Sequence, residues 1–349
     1  MVTSALPSSV KELPEQFQSF LRAHGLDAAT PVIPLKDGGN NQVYRLCGVV
    51  RDYALKCYFQ DPADPRDRFN TERVFCDLLW NGGVRQIAEP CAWDEPSRLG
   101  LFAFVPGRKL NPGEITRDSV EQAAQFILQI NALRESPAAR AVAAASEARF
   151  SVAEQVAGIA RRVEALQQIA PETGLDIQAR AFARDELLPA WQTIASEITQ
   201  QCAANRELNA TLPTAQRCLS PSDFGFHNAL QLGSARLCYI DFEYAGWDDP
   251  AKLVCDFFCQ PQVPVGFEFW DFFTDALAAG LNDKSALPRR AKMLLPAYQI
   301  KWCCIILNHF VKSGKARREF AHGAASETAR AAQLEKARRL LKIFHGMRE

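Results

Sequence analysis

The most constraining feature of the 349-residue sequence is a mainly apolar segment, 219–243, whose pattern predicts a β-hairpin. The apolar runs Ala229–Leu232 and Leu237–Ile240 each have the length of a short strand. Gly233 and Ser234 lie between them, and residues of this kind reverse the chain. Because a hairpin returns its second strand to the beginning of its first, the residues flanking the two runs are expected to lie close together.

Three polar residues with oxygen donors occupy these flanking positions. Asp223 and Asn228 precede the first run, and Asp241 follows the second. Carboxylate and amide oxygens are the hard donors that suit Mg²⁺. An isolated aspartate is usually a solvated turn residue. These three lie among Leu, Phe, Ile and Tyr, where a charge is costly unless it is paired or binds a cation, which favours a functional site.

Short strand patterns dominate the first 105 residues, and helical periodicity dominates the rest. In the strand pattern 53–58, alternation places Lys56 on the face opposite Leu55. Sixteen residues later, Glu72 lies in a strongly periodic helix, 67–79. The sequence favours an ion pair between Lys56 and Glu72. A surface lysine on an edge strand and a glutamate on a helix surface are the alternatives.

The second part of the chain has a series of helical patterns. Helices are predicted over Ser119–Arg134, Ser151–Ile169, Ala181–Ile198 and Met293–Val311. Loops are predicted over Ser136–Ala145 and Thr173–Gln178.

A small-residue turn, Gly38-Gly39-Asn40-Asn41, separates two predicted strands. Backbone N–H groups in such a turn can approach phosphate oxygens. A plain hairpin turn has the same composition, so both interpretations stay open.

The order D-x-x-x-x-N beginning at Asp223, followed by I-D-F-E beginning at Ile240, resembles the aminoglycoside phosphotransferase and choline/ethanolamine kinase families. The run I-D-F-E-Y-A-G-W-D-D-P that ends at Pro250 is especially similar. Tyr-Ala-Leu-Lys ending at Lys56 matches the V-A-I-K of a kinase third strand. One departure is Pro221, where the family usually has a histidine that braces the catalytic loop.

The resemblance implies an α+β, protein-kinase-like fold with two lobes. A small antiparallel-sheet lobe, residues 1–105, would bind the nucleotide and end at the hinge. A larger, mainly helical lobe, residues 106–349, would carry catalysis and the acceptor site. The implied reaction transfers the γ-phosphate of ATP or GTP to a hydroxyl group of an amino sugar, amino alcohol or other small metabolite.

The resemblance also implies roles for individual residues. Asp223 would be the catalytic base, and Asn228 and Asp241 would hold Mg²⁺. The implied nucleotide-binding residues are Gly38, Gly39, Asn40, Asn41, Lys56, Glu72, Ala103 and Val105, the last two through the hinge backbone. Asp256 would be a buried carboxylate that props the catalytic loop. His227 is expected to be a hydrogen-bonded loop residue without a catalytic role.

Acidic and aromatic residues follow the metal-binding segment. Glu243, Trp247 and Asp248 would favour a cationic acceptor such as an amino sugar or a choline-like amine. A solvated loop surface is the alternative. The sequence does not separate aminoglycosides, choline, free sugars and nucleoside-like acceptors, nor ATP from GTP.

Bulk properties exclude several classes of partner. The formal net charge is +0, so no overall field attracts nucleic acid or a membrane surface. The eleven cysteines show neither a disulfide framework nor zinc spacing, which indicates a reducing compartment. Without a signal peptide or an apolar run of about 18 residues, a cytoplasmic location is expected. The expected partners are a nucleotide and a small acceptor, and no pattern predicts an oligomeric state.

Two other functions fit parts of the pattern. A nucleotide-binding pseudokinase, acting as a regulator or scaffold, is favoured by Pro221 and by the lack of Ser or Thr in the glycine turn. The complete set of Lys56, Asp223, Asn228 and Asp241 argues against it. A protein kinase is disfavoured, because no activation-loop signature follows Asp241.

Overall fold

The structure is a computed structural model that describes residues 8–35, 41–60, 64, 66–205, 207–281, 283, 286–311 and 326–346. Its strands are β1 (Val32–Leu35), β2 (Gln42–Leu46), β3 (Tyr53–Cys57), β4 (Pro90–Asp94), β5 (Leu99–Ala103), β6 (Arg108–Lys109), β7 (Cys218–Ser220), β8 (Ala229–Leu232), β9 (Arg236–Tyr239) and β10 (Gly246–Asp248). Its helices are α1 (Glu15–Ala23), α2 (Arg68–Asn81), α3 (Arg117–Asn131), α4 (Val152–Gln167), α5 (Gly174–Phe182), α6 (Leu188–Asn205), α7 (Pro250–Cys259), α8 (Trp270–Gly280), α9 (Ala286–Ile306) and α10 (Glu327–Gly346).

The first part of the chain forms an antiparallel sheet of five strands in the order β1-β2-β3-β5-β4. On β3, Leu55 and Cys57 are buried in an apolar cluster that also contains Leu21 of α1. The alternate position, Lys56, pairs in register with Val43 on β2 and Gly100 on β5. The two faces predicted for this strand are therefore present.

Helix α2 begins where the Asp67 side chain accepts a hydrogen bond from the Asn70 amide at 3.1 Å. It ends at Gly82, after which Gly83 has a φ of 86°, a left-handed conformation that glycine adopts without strain. A Cβ atom at Gly82 would lie only 2.4 Å from Leu133 Cδ1. This helix end therefore packs closely against the chain that follows α3.

The second part of the chain is mainly helical. Helices α3, α4 and α5 begin at Thr116, Ser151 and Thr173, and each of these side chains accepts a hydrogen bond from the backbone amide three residues later. Such capping satisfies an amide that the helix leaves unpaired. The predicted loop Thr173–Gln178 is wrong, because the cap at Thr173 starts a nine-residue helix whose Phe182 is buried.

Helix α7 lies at the centre of this helical part. All ten of its residues are buried, and it packs against α9. Helix α9 starts at Ala286, earlier than the predicted Met293, and contains Pro296 within it. Helix α10 packs on the same α9.

Two small β-ribbons lie among the helices, β6-β8-β9 and β7-β10. Aromatic rings support them: Phe126 of α3 stacks on Tyr239 of β9 with centroids 4.2 Å apart, and Phe224 stacks on Phe257 of α7 at 5.3 Å. The predicted hairpin at Gly233 is β8-β9, and the Phe126 ring packs against its second strand.

The larger apolar core is continuous with the sheet region, since it includes Phe75 of α2 and Phe102 of β5 together with residues of α3, α7 and α9. The combination of a five-stranded antiparallel sheet and a helical second part is the α+β, protein-kinase-like architecture predicted. Within the described ranges, no helix has the length and apolarity needed to cross a membrane.

Candidate active site

The β8-β9 hairpin brings the ends of the predicted catalytic segment together. Its register pairs Ala229 with Tyr239, and the Ile240 amide donates to the Asn228 carbonyl at 2.9 Å. Asp241, the next residue, has a φ of 71°, an uncommon backbone conformation for a residue with a Cβ. Asn228 and Asp241 consequently line the same cavity.

Lys56 connects the sheet to this hairpin. Its ammonium group lies 2.5 Å from Glu72 Oε2 and 2.6 Å from Asp241 Oδ1. The other Glu72 oxygen accepts from the Phe242 amide at 3.1 Å, and Tyr58 donates to Glu72 Oε2 at 2.9 Å. The predicted ion pair between Lys56 and Glu72 is thus present, and α2, β3 and the hairpin are joined by it.

The charges of this cluster depend on one another. Burial raises the pKa of Glu72 above its ordinary value, although Lys56 opposes the effect. Burial alone would lower the pKa of Lys56, but the charges of Asp241 and Glu72 outweigh it and raise the pKa. Lys56 therefore keeps its positive charge at neutral pH although its side chain is only 10% exposed.

A cavity of ≈ 340 Å³ opens beside this cluster. The predicted site residues that line it are Asn41, Lys56, Glu72, Ala103, Val105, Asn228 and Asp241. Val43, Ala54, Phe102 and Leu230 give it apolar walls. A cavity of this size with apolar walls and a few convergent polar groups is typical of a small-molecule site.

Of the predicted glycine turn, the structure describes only Asn41. Gly38, Gly39 and Asn40 lie outside the described residues. Asn41 is buried, and its side chain accepts from the Phe59 amide at 3.0 Å and donates to Glu243. Both ends of its side-chain amide therefore have partners within the protein. A contact between Asn41 and a nucleotide would have to involve other atoms of the residue.

Asp223 adjoins this cavity through Asn228, whose side-chain amide donates to the Asp223 carbonyl at 3.0 Å and to its Oδ2 at 3.4 Å. His227 contacts Asp223 Oδ1 through Nε2 at 3.2 Å, which confirms the expected hydrogen-bonded loop histidine. Burial raises the pKa of Asp223, but His227 and the Asn228 hydrogen bond outweigh it, so the net pKa lies below its ordinary value. The carboxylate is ionised at neutral pH and 36% exposed.

The loop that carries Asp223 is braced by Lys252 of α7 and not by a histidine at position 221. Lys252 Nζ lies 3.0 Å from Ser222 Oγ and 2.6 Å from Asp248 Oδ2. Ser222 has a φ of 66°, so the side chain that Lys252 contacts belongs to a residue with an uncommon backbone conformation. Pro221 itself offers no side-chain hydrogen bond.

Asp256 extends the same buried network. It lies 3.3 Å from Lys252 and 2.9 Å from Lys301, and it accepts from the Trp302 indole at 2.9 Å. Its predicted position under the catalytic loop is in keeping with these contacts. Buried charges of this kind are stable because each has an opposite partner.

The residues predicted to face a cationic acceptor, Glu243, Trp247 and Asp248, have partners within the protein. Asp248 is completely buried against Lys252, and Glu243 is 1% exposed and bonded to Asn41. Trp247 donates its indole N–H to the Ala139 carbonyl at 3.2 Å. The polar groups of all three side chains are therefore paired within the protein, whereas the sequence predicted that they face an acceptor.

A second cavity, ≈ 260 Å³, was missed by the sequence interpretation. The charged side chains lining it are Glu147, Arg149, Arg161, Arg162 and Lys301. They come from the chain before α4, from α4 and from α9, so only the tertiary structure brings them together. Among the described residues, no cluster of three or more His, Cys, Asp or Glu side chains is arranged to hold a metal ion.

Comparisons with known proteins agree with this architecture. The sequence profile of the phosphotransferase enzyme family matches residues 31–294. No protein in a search of curated proteins matched significantly.

Solved structures show the same fold. Spectinomycin phosphotransferase in complex with ADP and spectinomycin is 11% identical, with a TM-score of 0.59 and coverage of 94% of this chain and 99% of that one. Ethanolamine kinase of Plasmodium vivax is 12% identical, with a TM-score of 0.56 and coverage of 97% and 86%. An ADP-bound aminoglycoside phosphotransferase is 13% identical, with a TM-score of 0.54 and coverage of 95% and 99%.

Proposed function

Because the chain belongs to the phosphotransferase enzyme family, we propose that it transfers the γ-phosphate of ATP or GTP to a hydroxyl group of a small molecule. The observation that carries the proposal is the contact of Lys56 with both Glu72 and Asp241 at the edge of the 340 Å³ cavity. A buried lysine held between two carboxylates is a preorganised cation for phosphate oxygens.

The nucleotide would occupy that cavity. Its apolar walls suit a flat purine ring, and Ala103 and Val105 lie at its edge where the sheet ends. The Val105 amide donates no hydrogen bond to another residue of the described chain, which leaves it available to a base. We place the boundary between a nucleotide-binding part, residues 1–105, and a catalytic part, residues 106–349, at this hinge.

The donors at the hairpin ends fit Mg²⁺. Asn228 and Asp241 offer an amide oxygen and a carboxylate, and the Asn228 amide nitrogen is turned toward Asp223, which leaves its oxygen for a ligand. Asp241 is 30% exposed to the cavity side and has one oxygen on Lys56. Bound there, Mg²⁺ would neutralise the phosphate charge that develops during transfer.

Asp223 would act as the base. Its ionised carboxylate accepts the proton of the acceptor hydroxyl as that oxygen forms a bond to the γ-phosphorus and the bond to the β-phosphate oxygen breaks. His227 and Asn228 orient the carboxylate, and Lys109 Nζ anchors the loop by donating to the His227 carbonyl at 2.8 Å. These residues hold the base at a fixed position beside the cavity.

A screen of nucleotide consumption against amino sugars, amino alcohols, monosaccharides and nucleosides tests the proposal. Asp223→Asn should lower turnover with a responsive acceptor by roughly 10²–10⁴, the range for a lost general base, while nucleotide affinity stays nearly unchanged. Asp275→Asn, which changes an exposed aspartate on α8, is the matched control and should keep full turnover. Unchanged turnover in Asp223→Asn would remove Asp223 from the role of base.

A further inference from the structure

We propose, on the basis of the phosphotransferase function above, that the acceptor carries a phosphate or carboxylate group that Arg149 and Arg161 bind in the 260 Å³ cavity. This substrate class is opposite in charge to the amino sugar or choline-like amine that the sequence favoured.

The lining of the cavity is strongly cationic. Four of its side chains are basic, Arg149, Arg161, Arg162 and Lys301, and one, Glu147, is acidic. A site for a cationic acceptor would have the reverse balance, because like charges in a partly desolvated cavity repel. The composition therefore disfavours a quaternary or primary ammonium group as the ligand here.

Two of the four cations already have protein partners. Arg162 lies 2.6 Å from Glu147, and Lys301 lies 2.9 Å from Asp256. Arg149 and Arg161 form no ion pair within the described part of the chain, although Arg149 Nη1 donates to the Ala148 carbonyl at 2.7 Å. Two guanidinium groups therefore remain for an anion from outside the protein.

These two groups converge over a residue without a side chain. Arg149 Nε and Arg161 Nη2 would each lie 3.8 Å from a Cβ atom placed on Gly158 of α4. The absence of a side chain at Gly158 leaves room between them. Planar guanidinium groups bind carboxylate and phosphate through paired hydrogen bonds, so two of them around one space form an anion cradle.

The behaviour of Glu147 is in keeping with a positive field in this cavity. Burial raises the pKa of its carboxyl group, but Arg162, Lys301 and Lys252 together outweigh burial and lower the pKa to about 2. The same field would attract an anionic group of a ligand.

A series of side-chain contacts connects the cavity to the loop that carries Asp223. Lys301 lines the cavity and contacts Asp256, which contacts Lys252, and Lys252 contacts Ser222, the residue before Asp223. The positive charge of Lys301 also contributes to the lowered pKa of Asp223. The proposal requires that an acceptor anchored by its anionic end at Arg149 and Arg161 extends a hydroxyl group to Asp223.

Matched pairs of acceptors test the inference: glycerol against glycerol 3-phosphate and glycerate, and glucose against glucose 6-phosphate and glucosamine. Binding to the full chain with ADP present is measured by calorimetry, and nucleotide consumption is measured separately. We expect at least one anionic member to bind more tightly than its neutral partner and to give the higher kcat/KM. Phosphate and carboxylate members of a pair show which anion the cradle prefers.

Substitutions locate the anion. Arg149→Gln and Arg161→Gln should each weaken binding of the anionic member by roughly 10- to 100-fold, the range for losing a hydrogen bond to a charged group, and leave the neutral member unchanged. Arg140→Gln, at an exposed arginine outside the cavity, is the control and should change neither.

The outcomes separate this inference from the function on which it rests. Anionic members that bind no better than neutral ones, or equal binding in the two arginine variants, would overturn the anion cradle even if an acceptor is phosphorylated. Arginine-dependent anion binding without nucleotide consumption by any acceptor would support the cradle and contradict the phosphotransferase function.

Discussion

Lys56 is the side chain on which the charge balance of the 340 Å³ cavity depends. It lies between Glu72 and Asp241, and both distances are 2.6 Å or less. Without this cation, two carboxylates would face each other in a poorly solvated space, where repulsion is strong. The lysine therefore stabilises the two carboxylates at the cavity edge and is the group we expect to meet phosphate oxygens.

Glu243 gives the folded protein a pH dependence that a substitution can isolate. Burial, and then the charge of Asp241, raise the pKa of Glu243 from 4.5 to about 7. The folded chain therefore keeps a proton that the unfolded chain releases, and stability is lost as the pH rises from about 4.5 to about 7. Glu243→Gln should remove this loss, which is at most about 3 kcal/mol, while keeping an acceptor for Asn41.

The measurement is the free energy of unfolding of both proteins at pH 5 and pH 8. The free energy of unfolding of the variant should increase relative to that of the parent as the pH rises. An equal change in the free energy of unfolding of the two proteins between pH 5 and pH 8 would show that folding does not change the pKa of Glu243.

Some residue-scale features follow from sequence and others do not. The pairing of Lys56 with Glu72 could be predicted because strand alternation, helix periodicity and motif order agree on it. Asp248 could not be placed, because an aspartate beside a catalytic motif has the same sequence pattern whether it is solvated or buried. Its position depends on Lys252, one helical turn later, which neutralises it inside the protein.

At the scale of elements, helix α7 holds the catalytic loop through one side chain. Lys252 contacts Ser222 of the loop and two carboxylates, Asp248 and Asp256. Lys252→Met should cost about 3 kcal/mol or more in unfolding free energy, because it leaves buried carboxylates undercompensated. It should also lower kcat by roughly 10- to 100-fold with little change in nucleotide affinity, because the loop loses its brace.

Lys292→Met, at an exposed lysine on α9, is the matched control and should change neither quantity. We would measure unfolding curves, nucleotide affinity and turnover on the same preparations of the parent and both variants. A variant that is destabilised but keeps the parental kcat would show that Lys252 supports the core and does not position the loop.

Elements set by local patterns could be predicted. The β8-β9 hairpin, β3 and α2 correspond closely to their expected positions. Helix α5 could not, because its nine-residue sequence is helical through the cap at Thr173 and through tertiary burial of Phe182. The first turns of α9 were missed because they contain Pro288, and a proline within a sequence usually marks a helix end.

At the scale of the molecule, two cavities lie on different sets of elements, and side-chain contacts connect the second to the loop that carries Asp223. The first lies between the sheet and the hairpin and joins residues from Asn41 to Asp241. The second is formed by α4, α9 and the chain before α4. The second cavity could not be predicted, because Lys301 is far in sequence from Arg149 and Arg161 and joins them only when α4 and α9 pack.

The most direct test of the account is the Mg²⁺ dependence of ATP binding, titrated calorimetrically for the parent and for Asp241→Ala. The hairpin donors and Lys56 are proposed to act together on one nucleotide. We therefore predict that Mg²⁺ strengthens ATP binding to the parent and has no effect on the variant, whose folding is checked by its unfolding curve. An Asp241→Ala protein that is folded and binds ATP with the same Mg²⁺ dependence as the parent would contradict the account.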